Sequence, residues 1–151
     1  MRTQTPVVGL LDSDPTDHLV TWVVGAPDTV ALEHAVRINA TDLRDAQQQS
    51  IRARAASDPG PPLVLLDIEV LIDISAEAAR GHLHCAHHTV STPGTTDPSI
   101  TSYVGTVRGL YDLIRDLHAL AIADGVVLIP LAPDPTVDLV TSRLPLLFTA
   151  A

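Results

Sequence analysis

The run Leu63 to Ile72, LVLLDIEVLI, constrains the fold more than any other stretch. Its first half is apolar at consecutive positions, so both faces of an extended chain need cover, as in a buried parallel strand. Its second half alternates Asp67 and Glu69 with Ile68 and Val70, which places both carboxylates on one face. Asp58-Pro-Gly-Pro-Pro62 stops whatever helix precedes it, because stacked prolines lack the amides a helix needs. Asp73-Ile-Ser75 follows and opens another helix, AEAARGHLHCAHH.

The other segments fit around such a strand. Pro6 to Leu11 and Val20 to Ala26 are short apolar, β-branched runs stopped by acidic or proline turns. Thr29 opens a helical stretch with Val30, Ala31, His34, Ala35 and Ile38 on one face, capped by Asp28 or Thr29, and the pattern falters at Arg37 to Ala40, where a short strand is the alternative. Thr41 to Ser57 reads as a polar helix, and Thr89 to Ser102 as a Ser/Thr/Pro/Gly loop. The clearest helix begins at Thr106, where Val107, Leu110, Leu113, Ile114, Leu117, Leu120 and Ala121 form one stripe. Asp124-Gly125 breaks it before a buried strand, Val126 to Leu131, and a last helix runs from Val137 to Leu144, ending at Pro145. Helices alternating with apolar strands predict an α/β unit with a mainly parallel sheet, and residues 1–151 suit a single domain.

Charge and composition exclude several functions. Nine basic against eighteen acidic residues give a net charge of −9, which repels phosphate backbones and anionic headgroups, so neither nucleic acid nor a membrane surface is an expected partner. Aromatic residues are only 3% of the chain, too few for a base-stacking surface. Every basic residue is Arg, which rules out a Schiff-base lysine or a phosphate-loop lysine. Cys85 is the sole cysteine, so no intrachain disulfide forms and a reducing cytoplasm is the expected setting. The first residues lack the apolar run of a signal peptide, and no stretch is long enough to span a bilayer.

One cluster invites a metal. His82-Leu-His84-Cys85-Ala-His87-His88 packs imidazoles and a thiol together, and on a helix His84, Cys85 and His88 share a face. The competing reading, a solvated helix end, is favoured because no second cysteine cluster completes a structural site. Asp67 and Glu69 permit a paired-carboxylate role, although such carboxylates are more often solvated or paired with Arg. His118 reads as packing or surface, and Trp22 as core.

From Tyr103 to Phe148 the chain resembles the closing segment of luciferase-like flavin monooxygenases, in the nitrilotriacetate, long-chain-alkane and dibenzothiophene-sulfone branch. The residues that carry the likeness are Val104-Gly105-Thr106, Asp112-Leu113-Ile114, His118, Ala123-Asp124-Gly125, Pro130, Val137-Asp138 and Pro145. Leu43 to Arg80 is similar to the same family's preceding helix, strand and acidic helix start. The resemblance implies a (β/α) barrel, and whole barrels need roughly 250 residues. The expectation is therefore a partial barrel of about four mainly parallel strands with flanking helices. Such an arc leaves sheet edges and an apolar face to cover, which predicts a homo-oligomer or association with a larger flavin monooxygenase subunit.

The resemblance also implies FMN at the C-terminal mouth of the barrel. Its phosphate would lie near a turn whose nearest match is Gly25 to Thr29, so Gly25, Asp28, Thr29 and Gly105 are the candidate cofactor residues. Pro27 lacks an amide and Asp28 brings a negative charge, and both count against ordinary phosphate binding. Flavin contacts from the barrel's first half have no counterpart, so catalysis by this chain alone is not expected. Two alternatives remain: a non-catalytic assembly protein that keeps the barrel piece for shape, and a metal-binding module using His82 to His88.

Overall fold

A computed structural model describes residues 5–11, 20–56, 60, 62–89, 101–132 and 134–149, without the side chains of 86–89. In chain order the elements are β1 (Val7–Leu11), β2 (Val20–Val24), α1 (Thr29–Glu33), β3 (Ala35–Ile38), α2 (Leu43–Ala56) and β4 (Leu63–Ile72). They continue with α3 (Ala76–Thr89), β5 (Thr101–Gly105), α4 (Val107–Ala119), β6 (Gly125–Pro130) and α5 (Thr136–Thr149).

β4 organises the molecule. One of its edges takes β6 in parallel, Leu65 opposite Gly125 through Val70 opposite Pro130. Its other edge is shared: β3 pairs with residues 63–66, and β5 takes over along residues 68–72. β6 in turn pairs in parallel with β1, and β2 closes that side as an antiparallel edge strand. The order is β2-β1-β6-β4-β3 with β5 beside β4, an open and mostly parallel sheet flanked by helices. The first and last described strands are thus neighbours. Six strands form this sheet among the described residues, rather than the expected four or so.

The two faces of β4 differ as the strand period requires. Val64, Leu66, Ile68, Val70 and Ile72 are fully buried and pack with Val8, Leu10, Val126 and Leu128 against α2, α4 and α5. Each such side chain contributes about 2 kcal/mol of burial, which makes this layer the main source of cohesion. The stripe on α4 supplies Leu110, Ile114 and Leu117 to it. Leu65, Asp67, Glu69, Leu71 and Asp73 occupy the opposite face.

Helix starts follow from side-chain oxygens that satisfy first-turn amides. Asp42 accepts from Asp45 N, Ser75 from Ala78 N and Thr106 from Gly109 N. Four sequence expectations are corrected. α1 ends at Glu33, and the short strand expected from Arg37 begins earlier, as β3 at Ala35. β5 lies at the end of what reads as a loop. Pro145 sits inside α5, where burial of Val140 and Leu144 carries the helix past a missing amide. Trp22 is half-buried on edge strand β2, outside the main core, with its ring lying over Gly9.

Candidate functional site

Parallel α/β sheets present ligands at the carboxyl ends of their strands. Here that end is built around the terminus of β4. The Asp73 amide donates to the Gly105 carbonyl at 3.0 Å, the last link between β4 and β5. The Thr136 hydroxyl, fully buried, accepts from the Ile72 amide at 2.9 Å and ties the first residue of α5 to the same strand end. Tyr103 leans across the start of α4: its hydroxyl donates to the Thr106 carbonyl at 3.4 Å and fills the space beside both Gly105 and Gly109.

The feature with most chemistry at this end is a pair. One Asp73 carboxyl oxygen accepts from the Ile74 amide at 2.7 Å, and the other lies 2.5 Å from His82 Nδ1 on α3. The Asp73 side chain is 8% exposed and that of His82 54%. A carboxylate only accepts, so the shared hydrogen sits on Nδ1; in the neutral ring Nε2 is then the acceptor. Sequence reading counted His82 among possible metal ligands and missed Asp73. The signal was an aspartate ending a strand, followed by a helix carrying histidine two turns in.

The four expected cofactor residues do not converge. Gly25 adjoins Val7 at the amino end of the parallel strands, level with Gly125 and Leu65. Gly105 pairs with Ile72 at the opposite end. At ~3.3 Å per residue the levels of Leu65 and Ile72 on β4 are roughly 23 Å apart. Gly25 adopts φ +56°, a turn conformation that glycine permits. Asp28 caps α1 by accepting from Ala31 N at 2.7 Å, so its carboxylate already takes an amide that an anion would use. Thr29, exposed, is the first residue of that five-residue helix. Gly105 is buried, with the Tyr103 ring standing where a side chain would project.

The amino end serves structure. Asp124 accepts from the Val64 amide at 2.9 Å and from Arg54 at 3.4 Å, while its own amide donates to the Val64 carbonyl at 2.8 Å. The Val7 amide donates to the Asp124 carbonyl, so the Ala123-Asp124-Gly125 turn binds β1, β4 and β6 together. On the second face of β4, Asp67 is paired with Arg37, as expected of such carboxylates. His118 is half-buried near the end of α4.

His84 and Cys85 are exposed on α3, and the His88 side chain lies outside the described residues. Among the described residues no group of three or more His, Cys, Asp or Glu is placed to hold a metal ion. No described helix is long and apolar enough to cross a membrane.

No protein-family model and no curated protein matches the sequence. Solved structures do match. EDTA monooxygenase (EmoA) from Chelativorans sp. BNC1 superposes with a TM-score of 0.62 at 15% identity, over 78% of this chain and 39% of that one. Long-chain alkane monooxygenase (LadA) gives 0.59 at 16% identity, over 78% and 37%. DmoA from Hyphomicrobium sulfonivorans gives 0.58 at 12% identity, over 84% and 41%. The chain spans about two fifths of the length of these structures. At these identities the likeness is one of fold. The protein has the fold of a part of the luciferase-like monooxygenases.

Proposed function

We propose that this chain works in the cytoplasm as a partial luciferase-like monooxygenase barrel, completed by self-association and serving flavin chemistry in the assembled form. The observation that carries the reading is the open sheet matched to about two fifths of larger monooxygenases. β3 is an edge strand whose Val36 is exposed, and α1 beside it buries none of its residues, leaving Val30 64% exposed. Unpaired edges and exposed apolar side chains favour a covering partner. A larger flavin monooxygenase subunit is the alternative partner.

FMN is the proposed cofactor, at the carboxyl ends of the parallel strands where Gly105 lies. Gly25, Asp28 and Thr29 belong to the other end, and Asp28 leaves little there for a phosphate. The test is titration of purified protein with FMN, followed by flavin absorption and fluorescence. A saturable change near one flavin per chain supports the reading, whereas a spectrum identical to free FMN at all ratios overturns it. A second reading, assembly without catalysis, draws on Tyr103 filling the space at Gly105 and on Asp28 capping α1. A colourless oligomer indifferent to FMN is its signature.

A further inference from the structure

We infer that His82, oriented by Asp73, is a general base at the carboxyl end of β4. The inference does not rest on flavin binding or on the assembled state.

Three observations converge. The carboxylate is buried and anchored: the Asp73 amide donates to the Gly105 carbonyl, and the carboxyl oxygen not facing His82 accepts from the Ile74 amide. Among the described residues the imidazole is held at Nδ1, and its side chain is 54% exposed. The pair stands at the end of the central parallel strand, where such folds gather their ligands. Asp73 is therefore a positioning residue, which fixes the tautomer, and His82 is the group that meets substrate.

A clip that merely fastened α3 to the sheet is the competing account. Such a clip needs a donor to Asp73 and nothing else, so glutamine at position 82 would serve it. A base needs the second nitrogen.

The probe is 5-nitrobenzisoxazole, whose elimination requires proton removal and no cofactor. Nε2 takes the proton from the ring C–H, and the C–H electron pair completes a nitrile. The N–O bond breaks, its electrons leave on a phenolate, and the proton passes from imidazolium to water. The full chain, with seven histidines, is expected to exceed free imidazole at the same total imidazole concentration by about tenfold, below the usual range for buried bases because His82 is half exposed. His82→Gln should fall to the rate of free imidazole matched to its remaining histidines while keeping the wild-type circular dichroism spectrum, and His34→Gln should barely change the rate.

Nitrogen NMR of the folded wild-type chain supplies a readout that does not depend on any variant. The expected signature is a protonated Nδ1 and an unprotonated Nε2 on His82. A wild-type rate no greater than free imidazole at the same total imidazole concentration, a His82→Gln variant as fast as wild type, or the opposite tautomer would each overturn the proposal.

Discussion

Arg37 on β3 and Asp67 on β4 are joined by two parallel hydrogen bonds, Nε to Oδ1 at 2.9 Å and Nη2 to Oδ2 at 3.0 Å. The bond clamps the edge strand to the central one over the short stretch where they pair. Asp67 is nearly buried and Arg37 is 42% exposed, so removing the arginine strands a carboxylate with only partial access to water. Arg37→Met should cost about 2 kcal/mol, below the range for fully buried pairs. Adding Asp67→Leu to it should recover part of the loss, because no unpaired charge then remains. Urea unfolding of the single and double variants checks both points.

The Asp124-Gly125 turn is expected to be the more sensitive site. A Cβ at Gly125 would run into the Val7 carbonyl oxygen, which belongs to a neighbouring strand and cannot swing away. Gly125→Ala should therefore destabilise by more than 2 kcal/mol, at the upper end of ordinary substitutions. Asp124→Ala removes the acceptor for Val64 and Arg54, with an expected loss of about 2 kcal/mol. Asp124→Asn keeps one acceptor and should lose less. Denaturant midpoints at constant slope provide the comparison.

A single acid-side effect follows from Asp45. The Thr41 amide donates to its carboxylate at 3.1 Å, and Gln49 adds a second donor, which together hold its pKa below the ordinary 3.8. A depressed folded value means that the contribution is present above pH 3.8 and is lost as pH falls through the folded value. Asp45→Asn should flatten the thermal midpoint against pH in that acid window and leave its shape near neutrality unchanged. A variant curve parallel to wild type throughout would contradict the assignment.

Much of the fold is legible in the sequence because it is written in short-range pattern. Leu63 to Ile72 announces its burial by consecutive apolar residues, and α4 by a stripe at helical spacing. β5 is not legible, since Thr101 and Ser102 look like loop and become strand only through the free edge of β4 beyond β3. The placement of β6 between β1 and β4 is equally hidden, because strand order is decided by long-range packing. The same distance separates the candidate glycines. Gly25 and Gly105 each suit a turn, but the antiparallel return of β2 carries Gly25 to the opposite end of the sheet from Gly105. Asp73 and His82 meet across a strand end and a helix, a contact that neither strand nor helix periodicity encodes.

The central claim is that an open, partial barrel is completed by a second copy of the chain. The most direct measurement is its mass by light scattering after size-exclusion chromatography, at several concentrations in the micromolar range. The account predicts an assembly of at least two copies, each of 16.0 kDa. A single species of 16.0 kDa at every concentration would contradict it.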